Sequence, residues 1–250
     1  MEKYLISVDI SGERLESFFI DNSQFSSEDF NILGVDGRQL SSKDYYDLGV
    51  KKSFPPLSPS ELGCTLSHLK ALSIFLESDS KYALVLEDDV RFKNKLDFDG
   101  MDLQHLGTDV LFLLGGVKLT LCKKIRGTNF LINNINVLKV NKNFKRFLYY
   151  TMGYIVDREA AKNIIEYHKN YCKKADDWAG YSEIFNTQFY IADVLDHPDI
   201  SDINLSNSSI GSERLHHFFY IKLALNLLLK IVKRRLSSYV YAPFFKKFKG

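Results

Sequence analysis

The chain has 250 residues, 45% hydrophobic and 26% charged, with a formal net charge of +2; this excludes a disordered chain and fits one large α/β domain with an appendage. So small a net charge gives no electrostatic footprint for nucleic acid, which is not an expected partner. Three scattered cysteines, Cys64, Cys122 and Cys172, none in a CxxC, exclude a disulfide framework and a zinc site built on local spacing, and fit a reducing cytoplasm.

The N-terminus has only a short apolar run before charge, so no signal peptide is expected, and residues 4–8 read as a first strand. Asp9 to Gly12 turns into a helix bearing Leu15, Phe18 and Phe19. Strand, turn and helix in that order open many nucleotide-binding α/β domains, although no GxGxxG is present. Arg14 on this helix is in reach of a phosphate; a solvated surface arginine is the commoner lot. Residues 30–35 read as a second strand closed by Asp36-Gly37. That pair is a turn signal, and Asp36 is also a candidate acceptor for a ribose hydroxyl or a uracil.

A Pro-rich loop over residues 51–59 leads into Ser58-Pro59-Ser60-Glu61. Ser58 caps, Pro59 suits the first helical position, and Glu61 completes a capping box. Leu62, Leu66, Leu69, Leu72 and Leu76 follow at helical spacing, so one face is buried. Gly63 and Cys64 are small and allow close approach to a sheet or ligand. His68 is either a packed histidine or a contact to a donor phosphate.

Tyr82 to Val90 is the informative stretch: an apolar strand running straight into Glu87-Asp88-Asp89. Three carboxylates at the mouth of a buried strand are costly unless water, hydrogen bonds or a metal ion compensates them. If the strand alternates, Glu87 and Asp89 share one side and Asp88 faces the other. A solvated acidic turn is the plain alternative.

Residues 109–114 read as a core strand, and residues 118–143 as an irregular Asn- and Lys-rich loop, either a flexible active-site loop or an exposed insertion. Residues 147–156 read as an aromatic strand in which Gly153 lets backbone approach a ligand. Asp157 caps a helix over residues 158–171. Asp176-Asp177-Trp178 puts two acids beside the single tryptophan, either a base with a sugar-stacking ring or a helix start with a core tryptophan. Residues 189–194 form a last strand, ending at Asp196-His197-Pro198.

Residues 214–250 form a basic amphipathic helical tail after a domain of residues 1–213. Lys222, Asn226, Lys230 and Arg234 make one polar stripe on an otherwise apolar helix. Its apolar run is far short of the ~20 residues that span a bilayer. With Lys233, Arg235, Lys246, Lys247 and Lys249 nearby, it suits an anionic membrane surface. Packing on the domain or on a second subunit of an oligomer is the competing reading.

Ser60-Glu61-Leu62-Gly63-Cys64-Thr65-Leu66-Ser67-His68, followed by Leu86-Glu87-Asp88-Asp89-Val90, resembles the hallmark of glycosyltransferase family 25, the lipopolysaccharide and lipooligosaccharide sugar transferases of Gram-negative bacteria and their collagen-modifying animal relatives. Tyr4 to Val8, Asp36-Gly37 and Asp176-Asp177-Trp178 also match family positions. The resemblance implies an α/β fold of the GT-A type, a Rossmann-like sheet flanked by helices. It implies an inverting, metal-dependent transfer of a sugar, galactose in many members, from a UDP-sugar to a lipid-linked oligosaccharide. The enzyme is then expected in the cytoplasm, peripheral on the inner membrane. Ser7, Asp36, Gly37, His68, Glu87 and Asp88 are the implied donor-binding residues. Asp89, Glu87 and His197 are the implied ligands of Mn²⁺ or Mg²⁺, with a surface His-Pro turn as the rival reading of His197. Glu87 stands where GT-A enzymes usually carry the first aspartate of Asp-x-Asp. Asp176 or Asp177 is the implied base and Trp178 the acceptor platform. Two other classes compete: a metal-dependent nucleotidyltransferase, and a non-catalytic membrane scaffold with a transferase fold.

Overall fold

The computed structural model describes residues 1–9, 12–116 and 122–197. The tail over residues 214–250 lies outside them. In chain order the elements are β1 (Glu2–Ile6), α1 (Glu13–Asp21), β2 (Asn31–Leu33), α2 (Ser42–Tyr45), α3 (Pro59–Glu77), β3 (Tyr82–Glu87), β4 (Arg91–Phe92), β5 (Val110–Leu113), β6 (Gly127–Ile132), β7 (Ile135–Val140), β8 (Gly153–Asp157), α4 (Arg158–His168), α5 (Trp178–Ile184), β9 (Gln188–Ile191) and β10 (Leu195–Asp196). This is the mixed α/β architecture expected from the sequence.

One sheet runs in the order β2-β1-β3-β8-β5-β9-β7-β6, and β4 and β10 form a separate ribbon. β1 pairs in parallel with β2 and β3, and β5 with β9; β8 runs antiparallel between β3 and β5, and β7 antiparallel between β9 and β6. All strands of this sheet except β7 and β8 therefore point the same way. Alternate residues feed two cores. Tyr4, Ile6, Ala83, Val85, Tyr154 and Val156 pack with Leu72 and Phe75 of α3 and Ala161 and Ile164 of α4. Leu5, Leu84, Leu86, Phe112 and Ile155 pack on the other side with Phe18 of α1, Phe30 and Phe98. Covering on both faces is why the middle of β3 is an unbroken apolar run.

α3 starts as its capping box dictates. Ser58 Oγ accepts from Glu61 N at 3.2 Å, and Ser58 N donates to Glu61 Oε2 at 3.0 Å. The helix then passes very close to the turn after β2. A Cβ built on Gly63 would stand 2.6 Å from both Gly37 N and Val35 O. The small residues that permit this contact thus bring α3 against backbone, and Ser67 Oγ accepts from Val35 N at 2.8 Å one turn on.

Three expectations change. Residues 127–140 are a β-hairpin at the sheet edge, not an irregular loop. Its tip, Asn133 and Asn134, has φ of 44° and 65°, a two-residue turn that asparagine tolerates. The strand expected over residues 147–156 begins only at Gly153, because residues 142–147 close into a short 3₁₀ helix. Gly153 faces no ligand space: a Cβ there would meet Leu195 Cδ1 at 2.3 Å and Leu86 Cδ2 at 2.8 Å. Among the described residues no helix is long and apolar enough to cross a membrane.

Gly63→Ala is expected to lower stability by about 1–3 kcal/mol through overpacking, despite the roughly 1 kcal/mol that alanine gains over glycine in helix propensity. A urea melt that left the midpoint unchanged or raised would show that the turn can yield.

Candidate active site

β3 emerges at the carboxyl-end edge of the parallel strands, where open α/β sheets place their ligands. Ser7 follows β1 on the same edge, and Asp36-Gly37 follows the end of β2. Strand geometry ends at Glu87, and Asp88 and Asp89 lie in a turn. Alternation therefore stops two residues short of the pattern assumed from sequence, and Asp88 does not simply face away from Asp89. Both reach Arg14.

Each acid has its own compensation. Asp88 is 5% exposed and pairs with the Arg14 guanidinium. Burial pushes its carboxyl above the ordinary value, against the pull of Arg14 and the Ser7 hydroxyl. Asp89 Oδ2 lies 3.2 Å from His197 Nε2 and 3.3 Å from Arg14 Nη2. Burial pushes Asp89 up as well, but the hydrogen bond and charge of His197, with Arg14, outweigh it and hold the carboxyl below the usual range. Asp89 Oδ1 is enclosed and has no hydrogen-bond partner among the described residues. An orphaned carboxylate oxygen beside an imidazole fits a divalent cation. Glu87 instead turns to α3 and the segment before β8: His68 Nε2 lies 3.3 Å from its Oε1, and Thr151 Oγ1 donates to the same oxygen at 2.5 Å.

The ribbon supplies His197. Asp196 and Leu195 of β10 pair with Arg91 and Phe92 of β4. One residue past β10 thus meets a residue two before β4. His197 is 28% exposed and in contact with Asp89, rather than an idle surface turn.

A second wall comes from the segment before β8. Tyr150, at φ 76°, donates its backbone N–H to Asp176 Oδ2 at 3.3 Å, and its carbonyl accepts from Trp178 Nε1 at 3.0 Å. Asp176 is thus tied to the Tyr150 segment, whose next side chain, Thr151, donates to Glu87 Oε1. Asp177 is committed elsewhere. Its Oδ1 caps α5 by accepting from Gly180 N at 3.1 Å, and its Oδ2 accepts from Tyr167 OH at 2.7 Å. Trp178 is 2% exposed, with Tyr154, Tyr181 and Phe189 set edge-on around it. It offers no open ring face to a sugar; the indole is core and anchors the Tyr150 segment. Asp36 is held by its own turn, accepting from Arg38 N at 3.0 Å and Arg38 Nε at 2.8 Å, and Gly37 abuts α3. A cavity of about 730 Å³ lined by Asp109, Arg126, Lys139, Lys145 and Gln188 lies at the opposite strand ends and contains none of these residues.

Arg14, Thr151 and Tyr150 are the site residues that sequence reasoning passed over or ranked low. Arg14 sits on α1, 74 residues from Asp88, and no local pattern marks such a pairing.

The sequence pattern described as "Glycosyltransferase family 25 (LPS biosynthesis protein)" matches residues 1–179. Human procollagen galactosyltransferase 2 is 25% identical over 117 residues, which cover 44% of this chain and 17% of that protein. The chain thus spans less than a fifth of that relative's length. The crystal structure of A197 from STIV superposes with a TM-score of 0.40 at 13% identity, covering 78% of this chain and 83% of that chain.

Arg14→Met leaves Asp88 buried without its cation and is expected to cost about 1–3 kcal/mol at neutral pH. The carboxyl of Asp88 already binds its proton more readily than in the unfolded chain, and more so without Arg14. Its protonation on acidification therefore favours the folded variant, and the gap to the parent narrows toward pH 4. Urea melts at both pH values check this; a gap that stays constant or widens would count against the pairing.

Proposed function

The chain belongs to glycosyltransferase family 25, and from that premise we propose that it transfers a sugar, galactose first among candidates, from a UDP-sugar to a lipid-linked lipopolysaccharide or lipooligosaccharide glycan with inversion, on a sheet of the GT-A type. The observation that carries this reading is the convergence of Glu87, Asp88, Asp89, Arg14, Ser7 and His197 at one strand edge, with Asp176 joined to the set through Tyr150 and Thr151. Such a set suits a diphosphate and a sugar better than it suits a packed core.

In this reading the nucleotide lies over the ends of β1 and β2, near Ser7 and Asp36-Gly37. Mn²⁺ or Mg²⁺ held by Asp89 and His197, with Glu87 directly or through water, would neutralise the charge of the leaving diphosphate. Arg14 pairs with Asp88 and adds a fixed cation at the mouth. Asp176 is the base that takes the proton from the acceptor hydroxyl as it attacks the anomeric carbon. It is preferred to Asp177 because both oxygens of Asp177 already serve α5 and Tyr167. The buried, hydrogen-bonded Trp178 supports the Asp176 segment rather than stacking on the acceptor.

Incubation with UDP-sugars, Mn²⁺ and a glycan acceptor should release UDP with one donor preferred. Asp89→Asn should abolish turnover at every Mn²⁺ concentration. Asp176→Asn should lower kcat by about 10²-fold or more with the fold intact, whereas Asp177→Asn should chiefly lower the melting temperature. Full activity in both aspartate variants would sink the base assignment, and no UDP release from any common donor would sink the transferase reading.

A lipid-linked acceptor places the reaction at a membrane surface, and the basic, apolar sequence over residues 214–250 is the segment proposed to meet it. Co-sedimentation with anionic vesicles should be salt-sensitive and should disappear on truncation after residue 213; binding that survives truncation would exclude the tail.

A further inference from the structure

Cys64 and His68 stand one turn apart on α3, and so project from the same helix face. Glu87 ends the strand over which that face packs. The Cys64 Sγ, a ring nitrogen of His68 and a carboxylate oxygen of Glu87 all lie within 4.8 Å of one another. His68 is buried, and Cys64 and Glu87 are half-buried. Two further side chains aim this set. The Tyr154 hydroxyl lies 3.1 Å from His68 Nδ1, leaving Nε2 directed at Glu87. The Thr151 hydroxyl donates to Glu87 Oε1 and also bears on the Cys64 thiol. Outer contacts of this kind orient ligands at metal centres.

We infer that Cys64, His68 and Glu87 form a binding site for a borderline-soft divalent cation of the zinc class, adjacent to the oxygen-rich site on Asp89 and His197 and sharing Glu87 with it. One thiolate, one imidazole and one carboxylate, on a helix face and a strand end, are the donor types that tetrahedral zinc selects, and they leave a fourth position open. Magnesium and manganese prefer oxygen and have little use for the thiolate. Packing alone does not call for three electron-rich atoms in one half-buried space. A cysteine nucleophile is the rival use of such a trio. The alkylation arm below separates the two, since a bound dication holds the thiolate and shields it.

Titration of the full chain with Co²⁺ tests the site without any sugar donor, so its outcome is independent of the transferase reading. The expected result is a thiolate-to-cobalt charge-transfer band in the near ultraviolet, displaced by Zn²⁺. The band should vanish in Cys64→Ser, whose folding is checked by circular dichroism. It should persist in Cys122→Ser, Cys172→Ser and Asp89→Asn. Tyr154→Phe should weaken Zn²⁺ binding about 10-fold or more. In the unsubstituted chain, Zn²⁺ should slow iodoacetamide alkylation of Cys64. No band in the parent chain, a band that survives Cys64→Ser, a band lost in Asp89→Asn, or alkylation indifferent to Zn²⁺ would each overturn the assignment.

Discussion

A strand buried on both faces between β1 and β8 delivers three acids in succession at its end, and this constraint orders everything around it. Moving an ionised carboxylate out of water costs several kcal/mol after relaxation, so each needs a partner supplied by another part of the chain. Asp88, the most enclosed, draws on Arg14 from α1. Asp89 draws on His197 from beyond β10 and on the same arginine. Glu87 draws on His68 from α3 and Thr151 from the segment before β8. The helices and the ribbon are therefore positioned by packing but put to use by charge.

The compensation is incomplete in one place only among the described residues of this turn: Asp89 Oδ1 is enclosed and accepts no hydrogen bond. Completing it with a further side chain would have stabilised the fold. Leaving it open, next to an imidazole and at a strand edge, suits the cation proposed above. The close contact of Gly63 with Gly37 acts from the other side. It lets α3 lie low enough on the sheet for Cys64 and His68 to reach Glu87.

What the sequence disclosed follows the range of the interaction. The capping box of α3, the Asp157 cap of α4 and the doubly buried run of β3 are written in neighbouring residues, and the structure forms them as read. Strand alternation placed Asp88 opposite its neighbours only because the strand was assumed to continue; the turn after Glu87 draws Asp88 and Asp89 to one arginine. The Asn133-Asn134 hairpin was legible in principle, since asparagine tolerates positive φ, but flanking lysines and asparagines hid the alternation. Arg14 with Asp88, and His197 with Asp89, join residues far apart in sequence. Nothing local distinguishes them from solvated side chains.

Asp176 and Asp177 show how adjacent identical residues are separated by backbone position alone. A residue at a helix N-cap turns its oxygens toward the first free N–H groups, and Asp177 does this while taking the Tyr167 hydroxyl as well. Asp176, one residue outside the helix, is spared that duty and accepts from the Tyr150 N–H instead. Trp178 completes the division of labour. Its ring is locked among Tyr154, Tyr181 and Phe189, and its Nε1–H fixes the Tyr150 carbonyl. The Tyr150 N–H then holds Asp176, and the next side chain, Thr151, holds Glu87. One buried indole thereby sets the position of the proposed base relative to the carboxylates at the end of β3, a role for which burial is a requirement rather than an obstacle.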